Sequence, residues 1–213
     1  MPSAKPGPAD PSTDGAAIMP APGLVSAVLK ILIAGGFGVG KTTAVGAVSE
    51  IAPITTEERL TQAGAATDSL DGIQEKATTT VAFDFGRLTL DVPMPMELML
   101  FGTPGQERFA GLWYDLARGA VGAVVLADTR RLESSFDAVG FCERARLPFI
   151  VAVNEFDGAH RYPLDDVRRA LVLNPGTPVR RCDARKPSSV AAALLSLVDH
   201  ALSPTSSSTL LDI

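Results

Sequence analysis

Residues 35–42 read Gly35-Gly36-Phe37-Gly38-Val39-Gly40-Lys41-Thr42 and fill every position of the pattern GxxxxGK[ST]. The apolar run Val28-Leu29-Lys30-Ile31-Leu32-Ile33-Ala34 precedes it, and a helix-like segment over 41–51 follows. Strand, glycine-rich turn and helix together form a cradle for polyphosphate. The glycines let successive backbone N–H groups point inward, and the helix adds its positive N-terminal end. Lys41 brings a point charge to the β- and γ-phosphates, and the Thr42 hydroxyl is a Mg²⁺ ligand. Gly35, Phe37, Gly38, Val39, Gly40, Lys41, Thr42 and Thr43 are therefore the candidate phosphate-contacting residues. The loop alone does not separate ATPases, kinases and GTPases.

Outward from this loop, short apolar runs alternate with helix-like segments. Strands are predicted over 28–34, 81–90, 96–101, 121–127, 149–153 and 178–182, and helices over 41–51, 108–118, 132–146, 163–173 and 188–202. Runs such as Val124-Val125-Leu126-Ala127 and Phe149-Ile150-Val151-Ala152-Val153 are apolar throughout, as central parallel strands covered on both faces are. The partly alternating 81–90 and the neighbouring 96–101, joined by a Pro-containing link, read as an antiparallel pair at one sheet edge. The order predicts a three-layer α/β fold around a mostly parallel six-stranded sheet with one antiparallel edge strand. Residues 52–79, rich in Thr, Ala, Gly and charge, lack periodicity and read as a long functional loop.

Composition bounds the rest. The chain has 213 residues, 46% of them hydrophobic and 20% charged, which suits one soluble globular domain. Residues 1–23 hold six of the 16 prolines and read as a disordered Pro/Ala/Gly-rich leader; 24–202 is the folded domain, and 203–213 a flexible Ser-rich tail. No apolar run approaches the roughly 20 residues of a membrane-spanning helix, and no lipidation motif is present at either end. Any membrane association is thus expected through a partner. Two cysteines, Cys142 and Cys182, are too few for a disulfide scaffold and point to the cytoplasm. A net charge of −5 with scattered basic residues argues against nucleic-acid binding.

Base-reading candidates follow the last two strands. Asn154-Glu155-Phe156-Asp157 stands at the carboxyl edge of the sheet, where nucleotides bind in this class of fold. It resembles the guanine signature N-K-x-D, in which the Asp carboxylate accepts from guanine N1–H and the exocyclic amine. Glu155 replaces the usual Lys. Arg181-Cys182-Asp183-Ala184-Arg185 resembles the S-A-K element. That resemblance implies an Ala184 N–H bonded to guanine O6 and Arg185 stacked on the base.

Further motifs complete a family pattern. Phe101-Gly102-Thr103-Pro104-Gly105-Gln106-Glu107-Arg108-Phe109 resembles the D-T-A-G-Q-E-R-F switch of Rab- and Arf-like small GTPases, and Thr80-Val81-Ala82-Phe83-Asp84-Phe85 resembles their T-I-G-V-D-F. The narrower features G-T-P-G-Q, N-x-F-D and T-T-T-V-A-F-D-F-G are similar to the small GTPases of bacterial conservon operons, relatives of the gliding-motility GTPase MglA. The resemblance implies a GTP/GDP switch with Mg²⁺. Its partners would be a roadblock-type (longin-like) regulatory protein and a sensor-kinase-like protein. By the same resemblance Gln106 orients the attacking water, Lys41 serves catalysis, Gly105 N–H meets the γ-phosphate, and Thr80, or Thr79 in a shifted register, joins Thr42 on Mg²⁺.

Three departures mark this chain. Gly102 stands where the Rab-like proteins have an Asp that helps hold Mg²⁺; either Mg²⁺ binds more weakly or another acid serves. Phe37 stands where Ras has a glycine facing the γ-phosphate. Residues 52–79 lengthen the first switch and contain Arg59, expected to be a solvated loop arginine rather than an internal finger. Slow intrinsic hydrolysis is expected.

Overall fold

The computed structural model describes residues 27–52, 54–60, 79–90, 95–105 and 110–203, with backbone only at 54–60, 79–82 and 110. The proposed leader, the tail beyond Ser203 and most of the 52–79 segment lie outside these residues. Seven strands form one sheet: β1 (Ala27–Ala34), β2 (Ile54–Leu60), β3 (Thr79–Leu90), β4 (Met96–Gly102), β5 (Ala120–Ala127), β6 (Phe149–Asn154) and β7 (Val179–Cys182). Five helices complete it: α1 (Lys41–Val48), α2 (Ala110–Ala117), α3 (Phe136–Arg144), α4 (Leu164–Ala170) and α5 (Pro187–Leu202). The α/β sandwich expected from the sequence is the fold observed.

The sheet order is β2-β3-β4-β1-β5-β6-β7. β4, β1, β5, β6 and β7 pair in parallel, and β3 runs against them. All six expected strands are present. The sheet gains a seventh, β2, inside the stretch read as irregular, and β2 pairs antiparallel with β3 from Ile54↔Phe85 to Leu60↔Thr79. The antiparallel strand is therefore second from the edge rather than at it. Ile-Thr-Thr at 54–56 are good strand formers, but the Glu-Glu-Arg that follows hides them from a hydrophobic pattern. An edge strand needs no apolar face; its backbone pairing with β3 suffices.

Alternation along β1 divides the core. Ile31 and Ile33 join Leu98, Leu100, Leu126 and Ile150 under α1 and α5. Leu32 and Ala34 face the other way, with Val125, Val151, Trp113 and the α3 residues Val139 and Phe141. Every residue of β6 is buried, as a strand covered on both faces requires. The predicted helix over 132–146 begins as a 3₁₀ turn, Leu132–Ser135, before α3. The first helix ends at Val48, earlier than expected, because Glu50 N–H bonds Arg87 O and draws the chain toward the sheet edge. Among the described residues no helix is long and apolar enough to cross a membrane.

The five parallel strands all end at one edge. There β1 runs into the phosphate loop, β4 into Thr103-Pro104-Gly105, β5 into Asp128–Arg131, β6 into Glu155-Phe156-Asp157 and β7 into Asp183-Ala184-Arg185. Loops far apart in sequence thus meet above the sheet.

Candidate functional site

Gly35 opens the phosphate loop at φ 135° and Gly40 closes it at φ 103°, in the region that favours glycine. Space is also scarce there. A Cβ on Gly35 would lie 2.5 Å from Leu126 O, and one on Gly40 would lie 2.8 Å from Asn154 Nδ2. Lys41, buried at the start of α1, folds back and donates to Gly35 O at 2.9 Å and Gly36 O at 2.7 Å. Burial lowers its pKa to about 8, with Asp84 opposing the shift. A buried cation ringed by loop carbonyls is arranged for an anionic ligand before one arrives.

Asp84 was not singled out as a site residue by sequence reasoning. It lies in β3 in register with Gly102 of β4, it is buried, and its Oδ2 accepts from Thr42 Oγ1 at 2.7 Å. A Cβ on Gly102 would come within 2.9 Å of Asp84 Cβ and 3.0 Å of its Oδ2. The carboxylate missing from position 102 is therefore supplied from the neighbouring strand, in the same space. The usable signal was the antiparallel pairing of 81–90 with 96–101, which sets an acid opposite the glycine. Thr42 and Asp84 are paired hard oxygen donors of the kind Mg²⁺ takes, so the residues present fit that ion.

Lys41, Thr42, Thr43 and Asp84, with Phe37, Gly38, Thr103 and Gly105, line a cavity of about 370 Å³. Gly38, Gly40 and Thr43 also line an adjoining cavity of about 210 Å³, whose other walls are Asn154, Glu155, Phe156, Asp157, Ala184 and Arg185. The phosphate-loop candidates and the base-reading candidates thus line two adjoining cavities with Gly38, Gly40 and Thr43 in common. Val39 is buried beneath it, and Phe37 projects outward, 68% exposed.

Asn154 joins the two halves. Its Nδ2 donates to Val39 O at 2.9 Å, and its Oδ1 accepts from Ala184 N–H at 3.0 Å. The Ala184 N–H expected on the base is engaged by Asn154 in this structure. Arg185, expected to stack on the base, forks onto Asp183 through Nε at 2.9 Å and Nη2 at 3.0 Å, and its Nη1 reaches Asp157 Oδ2 at 2.8 Å. Arg185 holds both carboxyls below the usual range, Asp183 strongly, and its own pKa is raised by them. Glu155, which replaces the signature Lys, pairs with Arg161 at 3.3 Å. Arg130 stacks over Phe156 at 3.7 Å from the ring centre while forking onto buried Asp128. Cys182, beside the base pocket, is buried and its thiol pKa is raised by that burial, so it packs as a small apolar group.

Of the remaining candidates, Gly105 joins the phosphate loop and Thr80 stands apart from it. Thr80 lies in β3, paired with Arg59 of β2 and four positions before Asp84, about 13 Å along the strand at about 3.3 Å per residue. Gln106 lies outside the described residues. Gly105, just before it, presses on the phosphate loop: a Cβ there would stand 2.7 Å from Lys41 Nζ and 2.9 Å from Phe37 Cα.

No curated protein matches the chain. A family model described as conserved hypothetical ATP binding protein matches residues 33–204, from the end of β1 through α5. That match spans most of the 213 residues, so the chain belongs to that family of nucleotide-binding P-loop proteins, in keeping with its phosphate loop and its Thr42–Asp84 pair.

Proposed function

We propose that this protein is a slow guanine-nucleotide switch of the kind its motifs resemble, the conservon-type small GTPases. The observation that carries the reading is Asn154, which bonds both the phosphate loop and the Ala184 turn where the two cavities adjoin, with Asp157 in the wall of the second. An Asp carboxylate at that wall suits the paired donors of guanine, and adenine lacks them. Lys41 orients and neutralises polyphosphate. Thr42 and Asp84 would hold Mg²⁺, which would supply charge stabilisation to the polyphosphate. Gly105 is positioned to exchange its packing on Phe37 and Lys41 for contact with a γ-phosphate, which couples ligand state to the 103–105 loop.

A second reading, an ATP-binding P-loop protein, is favoured by the description of the family and by Arg185, which already occupies one oxygen of Asp157. The nucleotide that co-purifies with the protein separates the two. GDP or GTP supports the guanine reading, and ADP or ATP replaces it with the second. Asp157→Asn run alongside is expected to abolish guanine preference and favour xanthine; unchanged GDP affinity refutes the base assignment. Single-turnover hydrolysis is expected near ~10⁻⁴–10⁻² s⁻¹ without a partner. Gln106→Leu is expected to slow it, and a purely scaffolding protein would show no difference. The roadblock-type and sensor-kinase-like partners belong to this same proposal and rest on the family resemblance; residence in the cytoplasm belongs to it too and rests on the two unpaired cysteines. Nucleotide-dependent co-purification with such proteins tests them.

A further inference from the structure

The loop after β5 brings a second cation to the phosphate loop. Arg131 Nη2 donates to Phe37 O at 3.2 Å and lies 3.4 Å from where a Cβ on Gly38 would stand. Arg131, Gly36, Phe37 and Gly105 line one cavity of about 420 Å³, distinct from the base pocket. Gly105 packs against Phe37 Cα and Lys41 Nζ. Two cations therefore flank the phosphate loop, Arg131 at Phe37 and Gly38 and Lys41 at Gly35 and Gly36, and the glycine expected at the γ-phosphate lies beside Phe37 and Lys41.

Arg131 is held there loosely. Its guanidinium spends one donor on Phe37 O, and its ion pair with Asp128 is long, at 3.8 Å. The Asp128 carboxylate is committed to Arg130, which grips it at 2.9 and 2.8 Å. The Arg131 side chain is half exposed, so it is free to swing, and a guanidinium has five donors to offer. Its approach is to the backbone of residue 37, so the exposed Phe37 ring does not obstruct it.

We propose that Arg131 is a catalytic residue supplied within the chain: its guanidinium transfers from Phe37 O to the phosphate oxygens that gain charge during hydrolysis. Water attacks the γ-phosphorus, the bond from that phosphorus to the β–γ bridging oxygen breaks, and its electron pair stays on the β-phosphate. Inorganic phosphate and a proton leave. Arg131 neutralises the charge gathering on the bridging and γ-oxygens. This rests on the proposed hydrolysis and is independent of which base is bound.

The test uses the full chain with Mg²⁺ and single-turnover hydrolysis of GTP and of ATP. Arg131→Ala is expected to slow whichever nucleotide the wild type hydrolyses by at least about tenfold, where complete arginine fingers supply about 10³–10⁵. Diphosphate affinity changes by less than about threefold, because the uniform part of binding is untouched. Arg131→Ala also loses capture of the diphosphate with aluminium fluoride, a mimic of the transferring phosphoryl group. Arg131→Lys retains part of both properties, and Arg118→Ala, at an exposed side chain after α2, retains them fully. Unchanged hydrolysis in Arg131→Ala overturns the proposal. So does slowing that merely follows lost diphosphate affinity, since that is the signature of a brace on the loop. A wild type that hydrolyses neither nucleotide overturns it together with the hydrolytic reading, whereas hydrolysis of ATP alone removes only the guanine assignment.

Discussion

Thr42 donates a 2.7 Å hydrogen bond to Asp84, and Asp84 faces Gly102 across the β3–β4 ladder with no room for a second side chain between them. In the proposed Mg²⁺ site the acid would thus stand on β3 rather than β4, with its carboxylate bonded to the hydroxyl of the phosphate loop. The glycine at 102 is the steric counterpart of that placement.

The relocation predicts an exchangeable pair. Asp84→Ala is expected to weaken the Mg²⁺ dependence of triphosphate binding about 10–100-fold, the range for residues that orient metal ligands. Gly102→Asp alone is expected to be destabilised, because its Cβ meets Asp84 at 2.9 Å and two carboxylates then share one site. Joining Gly102→Asp with Asp84→Gly returns the acid to β4 and is expected to recover part of the Mg²⁺ response. Nucleotide release rates across a Mg²⁺ titration check this; no change in Asp84→Ala counts against the assignment.

Asn154 is a brace before it is a reader of bases. Its buried amide holds Val39 O and Ala184 N–H at 2.9 and 3.0 Å. Asn154→Ala strands both groups, at about 1–3 kcal/mol for each polar group left buried and unpaired. The variant is expected to lose stability in urea titration and to bind guanine and adenine nucleotides weakly alike. Asp157→Asn, at an exposed side chain, is expected to change preference without that loss of stability. A selective loss of guanine binding in Asn154→Ala contradicts the bracing role.

Lys41 makes stability depend on pH in a definite direction. Burial lowers its pKa from 10.5 to about 8 in the folded chain. Below about 8 both folded and unfolded states hold the proton, so the full cost of burying the charge is present, on the order of 3 kcal/mol. Between about 8 and 10.5 the unfolded state binds more protons, so this contribution raises stability as pH rises. Lys41→Met is expected to abolish polyphosphate binding yet stabilise the ligand-free protein at pH 7 by about 1–3 kcal/mol, after the loss of its two carbonyl contacts. The difference between variant and wild type should shrink by pH 10. A variant less stable than wild type at pH 7 rejects the argument.

The fold was legible in residues 28–202 because apolar runs such as Phe149–Val153 mark buried parallel strands and Gly35–Thr42 marks the turn they serve. Two things were not. β2 is a polar edge strand held by backbone pairing, and backbone pairing leaves no hydrophobic period to read. Asp84 and Arg131 are brought to the phosphate loop by register and by a loop after β5, at sequence distances of 42 from Thr42 and 94 from Phe37. A linear motif identifies the loop that binds a group; the side chains that reach it from other strands emerge only from the pairing of the sheet. Arg185 teaches the same point in reverse. Its place in the motif was legible, but its grip on Asp183 and Asp157 depends on the fold.

Gly105 gives the most direct test of coupling between ligand and loop. Thr103 N–H bonds Ile33 O at 2.9 Å and the Trp113 indole donates to Pro104 O at 3.1 Å, so the segment is pinned on both sides just before Gly105 meets Phe37. An alanine there must displace either Lys41 Nζ, the end of a flexible side chain, or the backbone of Phe37, which is part of the cradle. Gly105→Ala is therefore expected to keep diphosphate affinity within about threefold and to slow triphosphate hydrolysis up to about 10²–10³-fold, the cost when a preorganised donor is displaced so far that it no longer serves. Trp113 is the only tryptophan in the chain and bonds Pro104 in this segment, so its emission reports the loop directly. Wild-type emission is expected to differ between diphosphate and triphosphate complexes, with the difference much reduced in Gly105→Ala. Equal emission in both wild-type complexes means that the 103–105 loop does not sense the γ-phosphate.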